Sequence, residues 1–202
     1  MRLKWQVGME SDLRATMLKN KIIYLVLLCV PTLSIAGGSI DLSVSKDAVR
    51  FEHDAIRVDS EIHFTVGGIY NKPDNTYLVS SSFNVVDQTS LNRELIGAIG
   101  VKGYIYQIEE SAFSVGLGGF FRYRPTTLSG FCVEGLFYYS PNIMTFNKTK
   151  SMHELVARVN YQIHNRARVF VGYNHISATF NDTEVGVQDI DNSFNVGFRL
   201  NY

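Results

Sequence analysis

Phe194-Asn-Val-Gly-Phe-Arg-Leu-Asn-Tyr202 ends the chain in strict alternation. Phe194, Val196, Phe198, Leu200 and Tyr202 share one parity; Asn195, Gly197, Arg199 and Asn201 share the other. A period of two is the mark of a strand with unlike faces, because successive side chains point to opposite sides. The same reading recurs upstream. Ile62, Phe64, Val66 and Tyr70 oppose His63, Thr65, Gly67 and Asn71, and Leu155, Ala157, Val159, Tyr161 and Ile163 oppose Glu154, Arg158, Asn160 and Gln162. Similar runs cover 76–86, 93–106, 112–124, 130–140 and 167–178, and no segment carries a helical stripe. With 39–46 and 48–54 the count is ten strands. Eight is the alternative count, and the weakest part of the reading is its start, because Ser39 to His53 also reads as one bent strand.

Alternation alone also fits a soluble sandwich or barrel. Three features favour a transmembrane, antiparallel, up-and-down β-barrel. The polar face holds Gly, Ser, Asn, Arg and Glu, groups that suit a narrow polar lumen better than a solvated surface. The segments run about 9–12 residues, the length that crosses a bilayer when tilted. Tyr70, Tyr104, Tyr106, Tyr123, Tyr138, Tyr139 and Tyr161 fall near segment ends, where aromatic girdles meet headgroups. A strand that stops at the C-terminus is expected to close the barrel, since an open edge in lipid would leave backbone groups unpaired. Phe198, Leu200 and Tyr202 resemble the terminal signal read by the outer-membrane barrel assembly machinery.

The N-terminal region reads differently. Residues 22–30 are Ile-Ile-Tyr-Leu-Val-Leu-Leu-Cys-Val, preceded by Lys19 and Lys21 and followed by Pro31 and Ser34-Ile-Ala36. The apolar run is too short for a membrane helix and has the parts of a signal peptide. Residues 1–36 are therefore expected to be a signal region with its true start at Met17. Cleavage after Ala36 leaves a barrel of residues 37–202. Cys29 follows Leu28, which does not suit a lipidation site.

The whole chain has 202 residues with 19 Lys+Arg and 19 Asp+Glu. That balance argues against nucleic-acid binding, which normally needs a basic excess. Two cysteines cannot make a disulfide scaffold or a four-ligand zinc cluster. Beyond residue 36 only Cys132 remains, read as a small side chain inside a strand. The five histidines show no metal-ligand spacing, and no cofactor motif is present. Asp182, Glu184, Asp189 and Asp191 cluster in what reads as an external loop, 181–192, but fit no EF-hand pattern and are taken as a solvated loop. Pro141 to Lys150 reads as a second long external loop, and His164-Asn-Arg166 as a short periplasmic turn.

Lys102-Gly-Tyr-Ile-Tyr106, Glu134-Gly-Leu-Phe-Tyr-Tyr-Ser-Pro141 and Gly172-Tyr173 resemble stretches of the YfaZ family of predicted outer-membrane proteins, in order and spacing. The resemblance implies export to the outer membrane and a small barrel; it carries no functional residues.

The lumen-facing parity collects Lys102, Arg122, Arg124, Glu134, Glu154, Arg158, Arg168 and Arg199. These residues are expected to form an interior ion-pair network; alternatively, with arginines in excess, they would line an anion-favouring constriction. The expected function is that of a small, non-enzymatic outer-membrane barrel, either structural or a narrow porin-like channel. Its partners would be outer-membrane lipid and the assembly machinery, and its state monomeric. Two alternatives stand beside it. One is a lipid hydrolase similar to lipid A deacylases, with Ser177 as nucleophile, His175 as base and Glu184 as orienting carboxylate, a reading the missing Asn and Gly after the Ser weakens. The other is a soluble periplasmic β-protein that binds a ligand.

Overall fold

The computed structural model describes residues 35–57, 61–73, 75–87, 94–108, 111–180 and 186–202, all within one compact unit, Ile35–Tyr202. The expected signal region up to residue 34 lies outside the described residues. The bond expected to be cleaved, after Ala36, falls near the start of the first strand.

The strands are β1 (Ile35–Ser45), β2 (Ala48–Arg57), β3 (Ile62–Asn71), β4 (Thr76–Asp87), β5 (Leu95–Gln107), β6 (Ser111–Tyr123) and β7 (Phe131–Ser140). They are followed by β8 (Thr145–Phe146), β9 (Thr149–His164), β10 (Ala167–Phe180) and β11 (Val187–Asn201). Ten form the wall of a closed antiparallel barrel. Each pairs with its neighbour in sequence, β7 with β9, and β1 closes the ring on β11 from Ser39↔Asn201 to Ser45↔Asn195. The two-residue β8 lies outside that ring and pairs with the start of β6. The stretch 39–53 is thus two strands joined at Lys46-Asp47, where the Ala48 N–H donates to Ser45 Oγ.

The chain's end completes the closure. The Gly38 and Tyr202 backbones exchange both hydrogen bonds, Gly38 N–H to Tyr202 O at 3.3 Å and the reverse at 3.1 Å. No backbone edge is left where the first and last staves meet at this end. The start of β1 and the end of β11 lie at this end, called the terminal end below, which the chain also reaches between β2 and β3, β4 and β5, β6 and β7, and β9 and β10. The opposite end, called the far end below, carries 46–47, 72–75, 108–110, 141–148 and 181–186. At the terminal end, the Glu94 carboxylate accepts the Thr126 N–H at 2.8 Å. The Thr126 hydroxyl and this N–H hold that carboxyl below the ordinary glutamate range.

Alternation places apolar side chains outside and polar ones inside. The clearest case is β4, whose residues alternate buried and exposed along its whole length. On the outer face Val79, Phe83, Ile99, Leu117, Phe137, Val171, Val196 and Phe198 are all exposed. Two features depart from the sequence reading. Tyr104, Tyr106 and Tyr138, expected in an aromatic girdle, are at most 1% exposed and point into the barrel. They share parity with Lys102 and Glu134, and Gly116 opens the space they fill: a Cβ there would press on Tyr104 and Tyr138. The second departure concerns the last connection. β11 starts at Val187, so Asp189 and Asp191 are strand residues, while Asp182 and Glu184 lie outside the described residues. A register shift against β10 between Ile176 and Ser177 turns both Ile190 and Asp191 inward, which breaks the alternation that would have shown a strand. Among the described residues no group of acidic, His or Cys side chains is placed to hold a metal.

Candidate functional site

The interior has two layers. The middle is a network of ion pairs built on carboxylates from four strands. Glu154 on β9 accepts from Arg50 Nη2 of β2 at 2.9 Å, from Lys102 Nζ of β5 at 2.8 Å and from the Tyr104 hydroxyl at 2.8 Å. Asp41 on β1 takes a two-pronged contact from Arg199, Nε and Nη2 both at 2.7 Å, and a third bond from Arg158 Nη1 at 3.0 Å. Glu134 on β7 accepts Arg199 Nη1 at 2.6 Å and Arg122 Nε at 3.2 Å. Asp54 on β2 meets His63 Nδ1 at 3.2 Å and Arg122 Nη2 at 3.5 Å, and Glu52 accepts from Arg50 at 2.7 Å. These bonds cross the lumen as well as run along its wall, because residues on facing staves share them.

The network corrects the expected charge balance. Arg50, Lys102, Arg122, Arg158 and Arg199 face Asp41, Glu52, Asp54, Glu134 and Glu154, so cations and carboxylates are matched. Asp41, Arg50, Glu52 and Asp54 are not among the lumen residues expected from the sequence, although Ile40, Leu42, Val44, Val49 and Phe51 alternate with them on the outer face. Of the other expected lumen residues, Arg168 is half-buried near the terminal end and Arg124 is exposed beyond the end of β6. Matching matters because an uncompensated charge in a low-dielectric interior costs several kcal/mol. The space left among these groups is about 40 Å³, bounded by Asp54, Asn84, Lys102, Glu134 and Arg158. That volume holds a few waters and no larger solute.

The second layer lies toward the far end and is apolar. Ile69, Leu78, Tyr106, Met152, Ile176 and Ile190 are buried together, with Ala48, Ala112 and Ala178 between them. Tyr106 satisfies its hydroxyl on Thr149 Oγ1 at 2.9 Å. Here the inward parity of six different staves turns apolar at one level, which closes the lumen as a packed core does.

The histidine–serine pair falls outside the barrel. Ser177 and His153 are register partners on β10 and β9, and Ser177 Oγ lies 3.1 Å from His153 Nε2. His175, the expected base, lies one outward step along β10 from Ser177 and packs against His153, ring centroids 5.0 Å apart and planes inclined at 50°. The correction is one of register. Residues i and i+2 on a strand lie about 7 Å apart, whereas directly opposed residues on neighbouring strands lie within about 5.5 Å. Ser177 is only 1% exposed, and Glu184 lies outside the described residues.

A family model described as YfaZ precursor matches residues 17–201, nearly all of the chain. The chain belongs to the YfaZ family. The match opens at Met17, and the precursor description fits an exported chain that carries a signal segment. No curated protein matches the chain. Lys102, Tyr104 and Tyr106 of the first motif shared with the family, and Glu134 and Tyr138 of the second, all point into the interior described above. The alternate residues of the same motifs, Ile105, Phe137 and Tyr139, are exposed on the outer face.

Proposed function

We propose that the chain is a small outer-membrane β-barrel that spans the bilayer as a closed, non-conducting and non-enzymatic monomer. The observation that carries this reading is the interior, a charge-matched network capped by an apolar layer. Either layer alone blocks a solute path, and a porin-like channel would require both to part. The outer face supports the membrane setting. Its apolar band is bounded by exposed aromatics at both ends: Tyr70, Tyr77, Phe113 and Tyr139 toward the far end, and Tyr123, Phe131, Tyr161 and Tyr202 toward the termini. In this reading the end that holds the start of β1 and the end of β11 faces the periplasm, as in single-chain barrels with an even number of staves. Phe198, Leu200 and Tyr202 face outward at the closing seam, where the assembly machinery would read them.

The lipid hydrolase is the second reading, and the contact between Ser177 and His153 favours it. Against it stand the burial of Ser177 and the engagement of the Asp189 carboxylate, the register partner of Ser177, by the Asn192 amide at 2.9 Å.

The test is fractionation with an activity assay. The protein is expected to float with outer membranes, to migrate differently on gels when unheated, and to release no fatty acid from phospholipid or lipid A. Recovery in the soluble fraction overturns the membrane assignment. Fatty-acid release that disappears in Ser177→Ala makes the chain an enzyme.

A further inference from the structure

The charge matching of the interior stops short of the terminal end. Arg124 and Arg168 share the inward parity of Arg122 and Phe170, yet among the described residues neither guanidinium meets a carboxylate. Arg122 faces Glu134 in register, so Arg124, two residues on, stands opposite Cys132. Its backbone keeps that course past β6, because the Arg124 N–H still donates to the Glu94 carbonyl at 2.6 Å. Arg168 on β10 pairs with Gln162 on one side and Arg199 on the other. The two guanidiniums thus approach the Cys132 thiol from two sides, within electrostatic range of it and of each other. Glu134, the carboxylate in range of Arg168, already accepts Arg199 Nη1 at 2.6 Å and Arg122 Nε at 3.2 Å. The floor beneath is closed and uncharged, since Cys132 and Asn160 are buried, whereas Arg124 is exposed and Arg168 half-buried.

We propose that Arg124 and Arg168 form a binding site for one doubly charged oxyanion, a phosphate group, in the mouth of the barrel at its terminal end. Charge selects this ligand. Two like charges held near each other repel, and an anion between them turns that repulsion into attraction. One dianion neutralises both, where a carboxylate or chloride leaves one cation unanswered. Shape selects it too. A guanidinium offers parallel N–H groups that match a pair of oxygens, and a tetrahedral phosphate presents such pairs on more than one side. The neighbouring network does not compete for these two arginines, because its five cations already face five carboxylates. The site does not depend on the membrane reading, since both residues belong to the inner face.

The experiment is isothermal titration calorimetry of the full, heat-modifiable protein in detergent, at low ionic strength so that salt does not screen the site. The probes are inorganic phosphate, glycerol 3-phosphate, sulfate and acetate. One site is expected for each of the first three, and acetate should bind about tenfold more weakly, the value of one charge-assisted hydrogen bond. The stronger of phosphate and its glycerol ester shows whether the group is taken free or esterified, and either ranking supports the site. Arg124→Gln and Arg168→Gln should each weaken phosphate by about tenfold on the same grounds. Lys72→Gln, exposed at the far end, should not. Removing one of two like charges should also raise the urea midpoint of the Arg168→Gln band in phosphate-free buffer. In the wild type, phosphate itself should raise that midpoint, because it binds the folded state. Acetate that matches phosphate overturns the site, as does phosphate binding unchanged in both arginine variants. A lower Arg168→Gln midpoint without phosphate overturns it as well, because that arginine would then already be answered within the protein.

Discussion

Glu154→Ala is expected to destabilise the folded barrel by about 3–5 kcal/mol, the range for breaking a buried ion pair by removing one partner. Glu154 is 1% exposed and answers Arg50, Lys102 and Tyr104 at once. Without it Arg50 keeps only Glu52, Lys102 keeps only the faces of Tyr104 and Tyr138, about 5.5 Å away, and the Tyr104 hydroxyl loses its acceptor. The cavity admits too little water to replace a carboxylate. Glu154→Gln retains an acceptor oxygen and should lose less. The measurement is a urea titration of the heat-modifiable band in detergent for all three proteins. Midpoints that coincide would show that water reaches the network freely, and the closed interior would fail with them.

The second large effect is steric. Gly119 faces outward on β6, and a Cβ there would fall inside the van der Waals surface of the Ala98 carbonyl on β5. That oxygen belongs to the ladder, so it cannot move without breaking the pairing of β5 with β6. Gly119→Val should therefore yield no heat-modifiable band, a loss above about 4 kcal/mol, in the range reserved for overpacking and backbone strain. Gly97 lies two residues before Ile99 on the same hairpin, and a Cβ there meets nothing within 4 Å. Gly97→Ala is the control and should fold as the wild type does. A folded Gly119→Val would mean that the β5–β6 register differs from Ile99↔Gly119.

What the sequence makes legible is the side of the wall on which a residue lies. The alternation in β4 or β11 separates Phe83 from Ser82 and Phe198 from Arg199 without any knowledge of neighbours, so the barrel and its ten staves follow from periodicity. Height and partner are different quantities, because both depend on register between strands. Hence Tyr104, Tyr106 and Tyr138 read as girdle residues although their parity already matched Lys102 and Glu134. The far-end layer is hidden for the same reason: Ile69 and Leu78 are single apolar residues in polar rows, and only the closed ring brings them to one level with Met152 and Ile176. Ser177 illustrates the limit most sharply. The sequence offers His175 two positions away, and the ladder delivers His153, which is 24 positions away. The bulge at Ile190 likewise made a strand look like an acidic loop.

The central claim is a closed interior, and single-channel recording tests it most directly. Purified, heat-modifiable wild-type protein reconstituted in planar lipid bilayers should insert without producing unitary conductance steps in either salt polarity. Reproducible stepwise conductance from that same protein would contradict the account, because ions would then be passing through both the charge network and the apolar layer above it.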